Sequence, residues 1–291
     1  MFAILGILIV LGCILAGFIL EKGNFDLLLS AAPPEMLMIG GGALGQLVLS
    51  APKDVLGATL KGALSIFGGM MTSKAYYLEL LTTLSGLYMK IRREGLVAIE
   101  KDVERPAESP IFSNFAKNKK NHEVLTFICD TMRIFSTVNI EAHEFETIMD
   151  ADIEATVHET LVPAHAISKT ADALPGLGIV ACVLGVVLTM GKINEPAEVL
   201  GHSIGAALVG TFLGVLMAYG FVAPIATNIE HRAKETESIL LVAKASLTAF
   251  VGGNPPPVAL EAGRRAIPIH KRPTFEELEQ AIKASRTRNL V

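Results

Sequence analysis

The chain has 291 residues, of which 51% are hydrophobic and 19% charged, with a formal net charge of -4, no tryptophan and three cysteines. A mean hydropathy of +0.48, with fewer charges than the roughly 25% of an ordinary soluble chain, excludes a single water-soluble domain and also excludes disorder. The acidic balance argues against nucleic acid as a partner, and three cysteines cannot make a disulfide scaffold.

Residues 2–20, FAILGILIVLGCILAGFIL, hold no ionisable side chain, and at 1.5 Å per residue they match the roughly 30 Å core of a bilayer. No basic segment precedes them, so they read as a mature span and not as a cleaved leader. A second, shorter run, MLMIGGGALGQLVLSA, gives a span over about 35–51, and two more follow over about 173–191 and 201–222. No Asp, Glu, Lys or Arg is expected deep in any of the four. Ion pathways through membranes normally need an embedded ionisable group, so a partner is expected to supply one.

Lysine and arginine set the orientation. The connections 21–35 and 192–200 carry one each, whereas 51–171 carries 13 and 223–291 carries 10. The basic segments belong on the cytoplasmic side. The chain therefore divides into a transmembrane hairpin (1–51), a cytoplasmic helical domain (52–171), a second hairpin (172–222) and a cytoplasmic helical tail (223–291), with both termini inside.

Within the cytoplasmic parts, apolar residues recur at helical spacing over 72–103 (Leu80, Leu81, Leu84, Leu87, Tyr88, Ile91), and Pro106 ends the pattern. A second helix is predicted over about 122–136. A third begins near Glu141, with Phe145, Ile148, Met149, Ile153 and Val157 as its buried stripe and Glu141, Glu144, Glu146, Asp152 and Glu154 as its solvated one. The tail continues from the fourth span to about Phe250 and breaks at Gly252, Gly253 and Pro255. Thr274 and Glu277 have capping-box spacing and open a last helix. Strand-type alternation is scarce, so the fold class is all-α: a polytopic membrane protein with four transmembrane helices and a helical cytoplasmic domain.

Several motifs fail on context. Gly40, Gly42 and Gly45 satisfy G-x-G-x-x-G but lie in an apolar run with no strand before them. Gly185 to Lys192 has the wrong spacing for a phosphate loop, and Ile193 stands where Ser or Thr would hold magnesium. His158 and His165 lack metal-ligand spacing. No nucleophile elbow or acid/base constellation is present, so no enzyme activity, metal or cofactor is expected. Two small-residue stripes, Gly210, Gly214, Ala218 and Gly178, Ala181, Cys182, Gly185, suit close helix approach within the chain or against a partner. Thr189 and Thr211 either face a wet pathway or bond back to their own helices.

The segments LPGLGIVACVLGVV (174–187), VGTFLGVLMAYGFVAPIAT (209–227), IEKDVERPAESPIF (99–112) and RPTFEELEQAI (272–282) together closely resemble the MotA family, the A subunits of bacterial flagellar motor stators. The resemblance runs essentially end to end. It implies an inner-membrane complex in which a ring of A subunits, five in number, surrounds a dimer of B subunits (MotB-like). Each B subunit would supply the ion-carrying Asp and a peptidoglycan anchor, with lipid around the ring and no nucleic acid. Ion flow would be converted into torque on the rotor protein FliG.

The resemblance carries roles to single positions. The rotor-interacting pair falls on Arg92 and Glu100, with Arg93 one register away. On a continuous helix, the pair's separation of eight residues amounts to about 12 Å along the axis and about 80° around it. The proton-coupling prolines fall on Pro175 and Pro224. Each also has a plainer reading, Pro175 as a helix start and Pro224 as a kink. Thr211 matches a pore-facing residue. Cys182 stands where sodium-driven relatives carry a second threonine, which favours the proton over sodium as the coupling ion. Thr189 joins them as a candidate lining residue. The alternative is a proton-driven energiser of outer-membrane processes resembling ExbB or TolQ, which have three spans and lack the Arg92 to Glu100 region.

Overall fold

The computed structural model describes residues 2–68, 72–138 and 140–288. In chain order the helices are α1 (Phe2–Leu20), α2 (Phe25–Ser50), α3 (Lys53–Ser65), α4 (Lys74–Glu94), α5 (Glu100–Glu104), α6 (Ser113–Ala116), α7 (His122–Thr137), α8 (Ala142–Met190), α9 (Ala197–Val215), α10 (Ala223–Val251), α11 (Pro256–Ala266) and α12 (Phe275–Arg288). A π-helical stretch, Leu216–Val222, joins α9 to α10. No strand occurs among the described residues, so the fold is all-α. Among the described residues, four helical runs are long and apolar enough to cross a membrane: α1, α2, α8 and the run Ala197–Val251. The chain forms two compact units, Met1–Gly69 with Glu159–His231, and Met70–His158 with Arg232–Val291.

The first unit contains the apolar runs. None of the α1 window is buried within the chain, although its mean hydropathy is 3.0. A helix that is apolar all round and uncovered belongs in hydrocarbon or against other chains. A tight turn follows. Lys22 takes φ 56, the Gly23 N–H donates to the Phe18 carbonyl at 2.9 Å, and the Asn24 side chain caps α2 by accepting from the Leu27 N–H at 3.1 Å. Helix α2 thus starts at Phe25, well ahead of the run that the sequence marks.

Pro33 and Pro34 lie between this start and the uncharged run. They suggest a helix boundary, yet both lie inside α2. Each removes one backbone donor, a loss that apolar helices tolerate where neighbouring helices and local adjustments satisfy the freed carbonyl. The connection between α1 and α2 accordingly shrinks to residues 21–24. Glu35 now stands well inside a 26-residue helix and is only 6% exposed. The expectation that no acid lies deep in a span is corrected here.

The same physics changes the third span. Pro163 and Pro175 sit inside α8, a single 49-residue helix, so Pro175 is not a start signal. At the far end of α9 the Ala223 N–H donates five residues back, to the Ala218 carbonyl. This wider turn stands directly before Pro224, whose ring could not face the fourth preceding carbonyl of a regular helix. Ile39, Ala43, Leu174, Ala181 and Ala218 form one core of the unit. Ile66, Ala164, Ile167, Ala226 and Ile229 form another.

The second unit packs around α4. Leu80, Leu81, Leu84, Leu87 and Tyr88 of the predicted stripe are essentially inaccessible, as is Tyr77, while Ile91, the last of the stripe, is only half-buried. Phe145, Met149 and Ile153 join this core from α8, but Ile148 is 41% exposed. Helix α7 covers the predicted second stretch. The Tyr88 ring stacks on Phe250 with centroids 4.1 Å apart, and its hydroxyl shares a buried 2.9 Å hydrogen bond with Ser246. Thr274 and Glu277 form the predicted capping box: the Thr274 N–H donates to the Glu277 carboxylate at 2.7 Å, and the Glu277 N–H donates to Thr274 Oγ1 at 3.1 Å.

Candidate functional site

In the second unit, α4 does not run on to Glu100. It ends at Glu94, because Gly95 takes φ 87 and ψ 173, a conformation essentially reserved for glycine. A 3₁₀ turn, Leu96–Ile99, and the short α5 then fold back. The continuous-helix geometry for Arg92 and Glu100 is therefore corrected: the two residues lie on opposite sides of a turn. Both are exposed.

The turn is closed by an ion pair between residues too far apart for a helical pattern to mark. Lys90 Nζ lies 2.7 Å from Asp102 Oδ2, and Ser109 Oγ donates to the other carboxylate oxygen at 2.6 Å. Asp102 is 4% exposed, so its charge is satisfied by these two donors and not by bulk water. Buried charges persist only when paired in this way. Lys90 and Asp102 flank Arg92 and Glu100, two residues outside each in sequence, so they fix the base of the segment that presents both. The Arg92 guanidinium donates to the Asn254 carbonyl at 3.4 Å. Arg93 instead lines a cavity of about 510 Å³ with Glu79, Lys90 and Glu94.

Around the same unit, burial pulls the Lys244 ammonium down, but hydrogen bonds to Asp150 and Glu146 outweigh this and leave it raised. Burial pushes the Cys129 thiol up to about 12, so this cysteine is an inert core residue.

In the first unit, α8 and α9 meet backbone to backbone. A Cβ on Gly178 would lie 2.9 Å from the Gly210 carbonyl oxygen and 3.1 Å from the Gly214 Cα. One on Gly214 would lie 2.7 Å from the Leu174 carbonyl oxygen. The two small-residue stripes thus pack within this chain. Thr211 sits at this crossing and is half-buried, with no hydrogen-bond partner for its hydroxyl among the described residues. Thr189, 1% exposed, donates to the Gly185 carbonyl at 2.8 Å, which is the back-bonded of its two alternatives. Cys182 is half-buried, and Pro224 is exposed.

Residues 4–95 match the family described as Motility protein A N-terminal, and residues 111–240 match the MotA/TolQ/ExbB proton channel family. Motility protein A of Salmonella typhimurium is 35% identical over 289 residues, covering 99% of this chain and 97% of that protein. Its Escherichia coli counterpart is 36% identical, covering 98% and 96%. The chain belongs to the MotA family.

Chemotaxis protein LafT of Vibrio parahaemolyticus, 32% identical over 95% of this chain and 96% of its own length, is a further relative. The fold also resembles the Campylobacter jejuni MotAB structure, with a TM-score of 0.75 at 19% identity over 92% of this chain and 95% of that one. The flagellar MotAB stator complex from Bacillus subtilis gives 0.73 at 20% identity, covering 96% and 98%.

Membership of the MotA family, together with the four candidate spans, makes the chain a multi-pass inner-membrane channel subunit of the flagellar stator class, and not an enzyme. For a MotA family member, two features escape sequence reasoning. The Lys90 and Asp102 clamp is missed because a separation of twelve residues matches no helical repeat. The buried Glu35 is missed because its charge marks the edge of the uncharged run, so it reads as the start of the span.

Proposed function

We propose that this chain is the A subunit of a proton-driven flagellar stator that acts with a MotB-like partner to convert ion flow into torque on FliG. The observation that carries the reading is the exposed pair Arg92 and Glu100, held on one clamped turn by Lys90 and Asp102. Exposed charges are screened and individually weak. They therefore suit an engagement that forms and releases quickly better than one that binds tightly.

The rest of the mechanism follows from what the partner would supply. Its carboxylate, taking up a proton, loses a buried charge and changes which packing around α8 and α9 is preferred. One charge moved through the membrane potential is worth about 2.3 kcal/mol per 100 mV, enough to bias such a step. Pro175 and Pro224, each removing a backbone donor, give α8 and the start of α10 the places where a change in packing becomes a change in helix direction.

Thr211 and Cys182 are the proposed lining residues, and Cys182 in place of a threonine supports the proton as the coupling ion. Thr189 would join them only on releasing the Gly185 carbonyl. Five such chains around a B dimer, with both termini cytoplasmic, complete the proposal. The match of residues 4–95 to the motility branch supports this reading over an ExbB-like energiser.

Deletion of the gene is expected to leave a filament that is built but does not turn. A deletion strain that still swims, with no second stator set in the cell, would falsify the proposal. Charge reversal at Arg92 or Glu100 is expected to lower swimming speed, with partial rescue by a complementary reversal on FliG.

A further inference from the structure

Glu35 is a carboxyl group with no visible reason to be where it is. It is 6% exposed, and its Oε2 is buried with no hydrogen-bond partner among the described residues. One turn to either side, Ala31 and Ile39 are also buried, so the packed face of α2 carries the acid at its centre. The carboxyl rests against Gly210 of α9. A Cβ there would overlap Oε2 and would lie 3.0 Å from the carboxyl carbon and 3.2 Å from the Ala181 Cβ of α8. The missing side chain of Gly210 is therefore the socket that receives the acid.

The titratable groups of the membrane parts of the helices around this socket include Asp26 at the start of α2, Glu198 and His202 near the start of α9, and Asp172 and Cys182 on α8, with Cys182 beside Ala181. None of them hydrogen-bonds or pairs with Glu35. An ionised carboxylate taken out of water without a partner is costly enough that the group keeps its proton instead. A neutral acid, by contrast, fits a small apolar socket. Ionisation then requires water, and water requires α2 and α9 to part.

We propose that Glu35 is a proton-binding site belonging to this chain itself, occupied while α2 and α9 are packed and emptied when they separate. On release, the carboxyl O–H bond breaks, the proton passes to the entering water, and the carboxylate is left solvated. The socket turns the spacing of two membrane helices into a proton occupancy, independent of any acid on a partner. The consequence for rotation rests on the stator reading above. The protonation itself does not.

The test uses the complete stator complex in native membranes and dicyclohexylcarbodiimide, an apolar reagent that adds to protonated carboxyls in apolar sites. Mass spectrometry of the digested chain is expected to find the adduct on Glu35, increasing as pH is lowered and lost in Glu35→Gln. Gly210→Ala, which fills the socket, is expected to reduce it. Glu35→Gln mimics the protonated form permanently, so it is expected to assemble normally and to flatten the pH dependence of motor speed. Absence of an adduct on Glu35 overturns the proposal, and so does a wild-type pH profile in Glu35→Gln. Because the adduct is read on the protein, its absence is distinguishable from a deletion strain that swims, which would overturn the stator reading instead.

Discussion

Lys90 and Asp102 meet at 2.7 Å across the base of the turn that carries Arg92 and Glu100. Removing Asp102 would leave Lys90 and Ser109 without their shared partner. Because Lys90 retains 26% side-chain exposure, water recovers part of the loss, and Asp102→Ala is expected to cost about 1–3 kcal/mol. The double variant Lys90→Ala with Asp102→Ala should be little worse than the single one. A double-mutant cycle read by both thermal stability and swimming speed checks this, and additive effects would show that the pair does not act as a clamp.

Gly95 makes a narrower prediction. Nothing lies within 4 Å of a Cβ placed there, so the cost of Gly95→Ala is pure backbone strain, about 1–3 kcal/mol. Asn commonly rescues left-handed positions, but ψ 173 lies far from the left-handed helical region at about +47°. Gly95→Asn should therefore be no better than Gly95→Ala. A melting series of the three proteins decides it, and recovery by Asn would mean that the turn relaxes to another conformation.

Much of the architecture was legible in the sequence, and the failures share a cause. Apolar runs, the α4 stripe and the Thr274 capping box depend on residues that are close in sequence, and these are read directly. Glu35 bounds an uncharged run and Pro175 has a plain reading as a helix start, because the cost of a charge or a proline in a helix depends on what surrounds it, which sequence does not display. The Gly95 turn, the Lys90 clamp and the Gly210 socket depend on residues meeting across different elements. Single-sequence periodicity carries no signal for such meetings.

At the α8 and α9 crossing, two glycines of α9 should behave oppositely. A methyl group on Gly214 would meet the Leu174 carbonyl oxygen at 2.7 Å and the Gly178 Cα at 2.9 Å. Both are backbone atoms that cannot rotate away, so Gly214→Ala is expected to cost about 1–3 kcal/mol or to prevent assembly. Gly201 has nothing within 4 Å, and Gly201→Ala should be neutral to slightly stabilising. The yield of complex after detergent extraction distinguishes the two variants, and equal yields would contradict the close approach.

Glu261 supplies an acid-dependent contribution. Hydrogen bonds from Arg264 and then Arg265 hold its carboxyl down to about 2, against an ordinary 4.5. A depressed carboxylate stabilises the fold above its ordinary value and loses that contribution as pH falls toward the depressed one. With 22% side-chain exposure, the contribution is about 1–3 kcal/mol. Thermal midpoints of the purified complex should be lower for Glu261→Gln near neutral pH, with the gap closing as pH falls below 4.5. A gap that persists in acid would assign the effect to packing.

The buried Tyr88 hydroxyl bonds to Ser246 at 2.9 Å, while its ring stacks on Phe250. Tyr88→Phe keeps the stack and strands the serine, at about 1 kcal/mol. Tyr88→Ala also empties the core, at about 3–5 kcal/mol. Chemical denaturation of the complex, followed by a probe in this unit, should rank them in that order.

Helix α1 packs on its own chain only along the half-buried stripe Ala3, Ile7, Val10, Ile14 and Phe18, and none of it from Ala3 to Leu20 is fully buried, which governs the changes the chain can absorb. Exchanging one aliphatic residue for another on its exposed face, at Ile4, Leu5, Leu8 or Ile9, disturbs no buried contact, whereas a single methyl on Gly214 collides with fixed backbone. In a saturation scan, α1 should accept almost any apolar letter wherever only lipid covers it. The positions that refuse would then trace, residue by residue, where another subunit lies.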